Sequence, residues 1–454
     1  MYNTEREKRV IDNLLAILVV FASITGWYSL DYIGMNKFWL IFILCSLVLM
    51  FLIIRFSGGV NELIYSIKEI LTNKLNLIIG LLLIWTAITY FINYTGKGTL
   101  LYVIKMWFLV VIYILFLGLY FIKQSKEQVF ATIFTIGRYI FALGCINTLV
   151  AFYQFIYRSN RIFGIVISQW PTYNPASFYD NVNGLGTYLY ISIIAGLILL
   201  VKSNKKRFYL VGIILQCYAL YLTIARTSII SVSIFAIFAI ITLLLFDRKT
   251  LRSVFTKRFL IFFIIGNLLG LIVVFNVEVR SSISQALGEK KVSINAEDRS
   301  ITDMLKEKND KGVNQRQFIW KAVINNKGQY AAFGDGLKYK VIEKINVAKV
   351  ISSSSAGADR ISYHNTLFRY FASHGFIGLI LFLVVMAFAP ITLIFRMIIN
   401  RRVDIPSILY IIFTASIFAY MQMEEVYIGE IGMIQLINMI NLTLGGYLVR
   451  KKEY

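Results

Sequence analysis

Apolar runs as long as a bilayer's hydrocarbon core is thick recur along the whole of this 454-residue chain. A helix needs about 17–25 residues to cross roughly 30 Å of hydrocarbon. Twelve stretches meet that length: about 10–28, 38–54, 75–92, 101–122, 134–156, 185–201, 208–224, 228–246, 259–279, 376–395, 405–421 and 431–449. In lipid every backbone N–H and C=O must be satisfied inside the protein, which leaves helical bundles and closed barrels. Runs this long and unbroken predict helices. The expected fold is an all-α polytopic membrane protein of about twelve transmembrane helices, with one large extracytoplasmic loop carrying short helices. Residues 1–279 would hold helices one to nine, residues 280–362 the loop, and residues 363–454 helices ten to twelve.

The chain is 58% apolar, so its formal charge of +22 has to be read against a membrane. Lysine and arginine collect in cytoplasmic loops, and that argues for a topology rather than for nucleic acid. Arg6, Lys8 and Arg9, "KSNKKR" (202–207), "DRKTLRSVFTKR" (247–258), "RMIINRR" (396–402) and "RKKEY" (450–454) fall on one side when the spans are threaded in order. The short links opposite carry little more than Lys37, Lys97, Arg158, Arg161 and Arg226. Both termini are therefore expected in the cytoplasm. No small-residue cleavage site follows the first apolar run, which predicts an uncleaved first helix. Cys45, Cys145 and Cys217 all lie in apolar runs and read as small core residues, not as a disulfide or metal framework.

Three segments are then expected on the outer side. One contains "QWPTYNPASFYDNVNG" (169–184), one is the link "ARTS" (225–228), and one is the loop from about 280 to 362. That loop carries fifteen Lys/Arg against nine Asp/Glu, on the side where the positive-inside rule asks for none. Either it meets an anionic ligand or its lysines are simply solvated. Within it "NQRQFIWKAVINNKG" (314–328) predicts an amphipathic helix, capped by Asn314, with Phe318, Ile319, Ala322 and Val323 as its apolar stripe. Arg316 and Trp320 are four apart and share a face, where they can stack. "FGDG" (333–336) ends that helix, and Pro390 is expected to kink the tenth span.

Ionisable groups beside apolar spans are costly and tend to mark function. His364, next to Asn365, is a candidate general base, since an imidazole exchanges its proton near neutrality; a surface histidine bonded to a loop carbonyl would look the same in sequence. His374, the other histidine of the chain, reads as packing. Arg226 is either a snorkelling side chain or a bidentate grip for a diphosphate. Arg316, with Trp320, offers the same grip or an interfacial Arg/Trp pair, and Arg161 with Arg158 is a weaker case of that kind. Glu424, Glu425 and Glu430 in "MEEVYIGE" (423–430) could serve acid–base work or a metal, but read first as a link that keeps positive charge off the outer side. There is no phosphate loop, dinucleotide fingerprint or metal-ligand spacing, so no cofactor or catalytic metal is expected.

Taken together these pieces resemble the O-antigen ligase and polymerase superfamily of bacterial membrane glycosyltransferases. "FYDNVNGLGTYL" (178–189), with Asn183, resembles the family's Asn-x-Asn opening of a span, and "ARTS" its short arginine link. "RQFIWKAVINNKGQYAAFGDGL" (316–337) resembles the arginine, tryptophan and glycine pattern late in the large loop. "HNTLFRYFASHGFIG" (364–378) resembles the His-Asn run with its two later glycines. The likeness covers about 178–395. Ser373 stands where the family often has an acidic residue, and Ala332-Phe333 where it often has a proline.

The resemblance implies His364 as general base on an acceptor hydroxyl, with Arg226 and Arg316 on the diphosphate of the donor. That donor would be an oligosaccharide on undecaprenyl diphosphate, held among membrane lipid, with the site facing outward from the bacterial cytoplasmic membrane. A chain-length regulator and a flippase are candidate partners. The expected activity is a metal-independent polymerase for O-antigen, capsule or exopolysaccharide. A ligase passing the finished glycan to another acceptor shares every motif, and the Ile/Asn/Lys-rich composition of a low-GC genome argues against lipid A core as that acceptor. A flippase for lipid-linked sugar is the third reading; it should carry charge deep within its spans.

Overall fold

A computed structural model describes residues 2–27, 38–94, 96–157, 159–162, 165–167, 175–179, 181–247, 316, 319–321, 323–325, 327–336 and 363–450. The expected ninth span at 259–279 and most of the large loop lie outside the described residues. The described chain is helical apart from one antiparallel pair, Arg161–Ile162 (β1) with Ile165–Val166 (β2). The helices are α1 (Tyr2–Ile24), α2 (Phe38–Phe56), α3 (Val60–Leu71), α4 (Lys74–Ile92), α5 (Lys97–Val110), α6 (Leu117–Ile122), α7 (Lys126–Tyr157), α8 (Val182–Lys202), α9 (Lys206–Thr223), α10 (Arg226–Phe246), α11 (Lys327–Tyr330), α12 (Thr366–Asn400), α13 (Ile405–Met421) and α14 (Met433–Arg450). A π-helical turn, Val111–Phe116, joins α5 to α6.

Among the described residues seven helical stretches are long and apolar enough to cross a membrane: α2, α4, residues 100–122, α7, α8, α10 and α12. The protein is thus an all-α polytopic membrane protein. Of the other expected spans, 405–421 coincides with the shorter apolar helix α13, and 10–28, 208–224 and 431–449 fall on α1, α9 and α14. α3 is amphipathic and was not expected; it is too short and polar to read as a span.

The chain divides into two compact units that interleave in sequence. The first holds α1, most of α2, α7, the β pair and α8–α10. Its helices meet closely: at Gly196 and Gly212 an added Cβ would run into the ring of Phe141, the small-residue contact that lets helices pack in lipid. α1 is fastened to α7 by the Thr132 hydroxyl, which donates to Asp12 at 2.7 Å; within α1 the same carboxylate pairs with Lys8 Nζ at 2.6 Å. Residues 175–179 are tied down by Gln154, whose Oε1 accepts the N–H of Ala176 (3.1 Å) and Ser177 (2.7 Å). Trp27 stacks on Phe178, and the Tyr179 hydroxyl meets Ser23 at 2.5 Å. Burial pushes that phenol up from its ordinary value, so it stays neutral as a hydrogen-bonding group.

The second unit holds the end of α2, α3–α6, α11–α13 and most of α14. Its main feature is a break in α12. Gly375 has φ 67°, ψ −168°, which divides the helix into 366–374 and 376–400. The expected span begins at 376; the structure adds about two and a half helical turns before it. Pro390 lies inside the second part. Broken helices leave carbonyls without partners, and here three of them are met. Asp335 N–H donates to Ala372 O (2.8 Å), Gly336 N–H to Ser373 O (3.0 Å), and the Trp85 indole to His374 O (2.8 Å). The "FGDG" turn is therefore a cap for the short helical piece. Gly334, at φ 65°, lies so close to the Ser373–His374 peptide that a Cβ would collide with it.

Candidate functional site

The second unit gathers its polar side chains where α4 ends, α5 and α12 begin, and the 421–433 link joins α13 to α14. Asn365 caps α12: its side-chain oxygen accepts the N–H of Leu367 (2.8 Å) and Phe368 (3.2 Å), a cap of about 1 kcal/mol. Its Nδ2 donates to Gln422 O at 2.8 Å. The Thr366 hydroxyl donates to Glu424 O and accepts from Val426 N–H, each at 2.9 Å. The link is thereby pinned to the first turn of α12, and its three carboxylates arrive together.

Arg369, one turn further on, is buried and takes two of them. Its guanidinium lies 2.7 Å from Glu425 and 2.5 Å from Glu430, and 4.4 Å from the centre of the Tyr427 ring. The Tyr102 hydroxyl donates to Glu430 at 2.7 Å. Glu425 also accepts the N–H of Tyr363. The carbonyl of Tyr363 accepts from the Trp320 indole at 3.0 Å, so the residue before His364 is held at both ends of its backbone.

His364 itself has φ 50°, a left-handed conformation uncommon outside glycine. Its imidazole is about one-third exposed (35%), with Nδ1 at 3.6 Å from Glu424 Oε2. The other oxygen of Glu424 pairs with the Arg316 guanidinium at 2.9 Å, and Arg316 also donates to Met423 O at 2.7 Å. Residues 316, 319–321 and 323–325 are helical, as expected for 314–328. Ile319 and Val323 of the expected stripe are buried against Tyr363 and Ala372, whereas Phe318 and Ala322 lie outside the described residues. The expected partner of Trp320 was Arg316; the indole is stacked on Phe368, with ring centres 5.6 Å apart.

Four sequence candidates are thus assembled in one place: His364, Asn365, Arg316 and Trp320. The other three belong to the first unit. Arg226 opens α10 after a sharp break at Ile224 (φ 53°). Gly186 of α8 packs where a Cβ would strike Ala225, so the start of α8, with half-buried Asn183, adjoins the Arg226 link. Asn181, not Asn183, caps α8, accepting from Gly184 N–H at 3.0 Å. Arg161 is exposed on β1, and Arg158 lies outside the described residues. His374 is fully buried, its Nδ1 at 2.5 Å from the Thr89 hydroxyl and its Nε2 against the Tyr427 hydroxyl.

Sequence reasoning passed over Arg369 and gave the glutamates a charge-balancing role. The signal that could have found them is the density of acid itself, three carboxylates in eight residues between two apolar helices. Arg369 takes up Glu425 and Glu430, which makes them poor candidates for a metal. Among the described residues no group of three or more His, Cys, Asp or Glu is arranged to hold one.

Helices long enough to cross a membrane, together with a cluster of an imidazole, two guanidinium groups and three carboxylates at helix ends, define a membrane protein with a concentrated polar site. Residues 211–383 match the family model of O-antigen ligase, which places that stretch in the O-antigen ligase and polymerase superfamily. The match spans Arg226, Arg316 and His364 and points to ligase- or polymerase-type glycan transfer, with a lipid-linked oligosaccharide as substrate. No curated protein matches the chain.

Proposed function

We propose that the protein is a polysaccharide polymerase, building O-antigen, capsule or exopolysaccharide. It would move a growing glycan from undecaprenyl diphosphate onto the next lipid-linked repeat unit at the outer face of the bacterial cytoplasmic membrane. The observation that carries this reading is His364: partly exposed, following a residue whose backbone is held at both ends, with Nδ1 turned toward a carboxylate. In the reaction Nε2 takes the proton of the acceptor hydroxyl, whose oxygen bonds to the anomeric carbon. The bond from that carbon to the diphosphate breaks, and its electron pair leaves on the diphosphate oxygen. Arg316 and Arg226 would steady the departing anion. The step is metal-independent in this reading, since guanidinium groups do the work of a Lewis acid and the lipid diphosphate supplies the activation.

The test uses purified protein in nanodiscs with its host's lipid-diphosphate repeat unit as the sole substrate, products being resolved by size. A regular ladder is expected from the wild type and none from His364→Ala, while Arg226→Ala and Arg316→Ala each slow transfer by about 10²-fold. Transfer only after a different acceptor is added would make the protein a ligase. A ladder from His364→Ala would remove the base assignment.

A further inference from the structure

Glu424 is shared between two partners. One oxygen pairs with Arg316 at 2.9 Å and the other faces His364 Nδ1 at 3.6 Å, within about 1 Å of hydrogen-bond contact. The backbone around it is pinned by Arg316 on Met423 O and by Thr366 on Glu424 O and Val426 N–H. Only the side chain is left to turn. Arg369 is already committed to Glu425 and Glu430. An arriving diphosphate can win Arg316 only by displacing Glu424, because both anions use the same planar fork of donors. Among the described residues the displaced carboxylate already faces the imidazole of His364.

We propose that Glu424 is a positioning residue that shifts from Arg316 toward His364 when a lipid diphosphate docks, so that its pairing with the base tightens with the donor in place. This rests on the glycan-transfer reading above. In the step described there, Glu424 holds the Nδ1–H of His364, keeps Nε2 aimed at the acceptor hydroxyl, and stabilises the imidazolium that forms. It touches neither sugar nor phosphate.

The experiment compares wild type, Glu424→Gln and Glu424→Asp as full-length proteins in nanodiscs. Binding is measured with undecaprenyl diphosphate, which carries no glycan, and turnover with the host repeat unit. Freed from competition, Arg316 in Glu424→Gln should bind undecaprenyl diphosphate several-fold more tightly, while kcat falls by about 10²-fold. Residues that only brace the fold would weaken both. Glu424→Asp, keeping the charge on a shorter stem, should recover part of kcat. In Arg316→Ala the lipid should bind weakly, and adding Glu424→Gln should bring no tightening. Binding no tighter in Glu424→Gln, or turnover at the wild-type rate, overturns the proposal. If Glu424→Gln loses its thermal transition, Glu424→Asp decides: tighter binding with reduced kcat supports the switch, and wild-type values in both overturn it. A wild type that neither binds the lipid nor transfers glycan overturns the functional reading, and this inference with it.

Discussion

Arg369 shows at the scale of one residue why the site was only half legible. In sequence it is a charge near the mouth of an apolar run, and snorkelling accounts for such a residue at no cost. Its meaning comes from Glu425 and Glu430, 56 and 61 residues away, and no local pattern announces that pairing. The ion pairs are largely out of water, and removing one member of a buried pair costs about 3–5 kcal/mol because the remaining charge is stranded. Arg369→Met should therefore destabilise the protein by that order, read by thermal unfolding in detergent. Adding Glu430→Gln removes one stranded carboxylate, so the double variant should be more stable than Arg369→Met alone. Strictly additive losses would show that the two charges are not coupled. His364 was legible for a different reason: a rare residue type beside Asn365 carries its chemistry in its own side chain.

At the scale of the element, hydropathy located the helices well because burial in lipid and helix formation demand the same residues. α13 coincides with its expected span, and α4 and α8 differ from theirs by a few residues. What hydropathy could not see is backbone that departs from a regular helix inside an apolar stretch. The π-helical turn at Val111–Phe116 and the break at Gly375 leave the apolar run intact. Nor could it show that "FGDG", which ends one helix, also caps another. That second role fixes a prediction. Gly334→Ala puts a methyl group against the Ser373–His374 peptide and asks an L-residue to hold φ 65°. The left-handed backbone alone costs about 1–2 kcal/mol and the overpacking about 1–3 kcal/mol. The variant should lose at least about 2 kcal/mol of stability, seen as a lowered Tm. An unchanged Tm would mean that the turn does not clamp the break.

For the whole molecule the open quantity is orientation, and it is argued from charge alone. Lysine and arginine crowd the ends of the chain and the links at 202–207, 247–258 and 396–402, which one even threading puts on a single side. By the positive-inside rule we propose that this side is cytoplasmic. The same threading puts the residues before α12, and with them His364 and the 421–433 link, on the other face. On the proposed outward orientation no nucleotide sugar would be available to this face, and a lipid diphosphate would be the activated donor. A topology reporter fused after Ser300, which lies outside the described residues, should therefore be active only in its extracytoplasmic form, and one fused within 203–204 only in its cytoplasmic form. The pair matters because a span misread between the two fusions reverses the second and leaves the first as expected, whereas one misread before residue 203 reverses both. Reversal of both would turn the imidazole and its carboxylates toward the cytoplasm. The polymerase reading, which needs the repeat unit already carried across the membrane, would then fail.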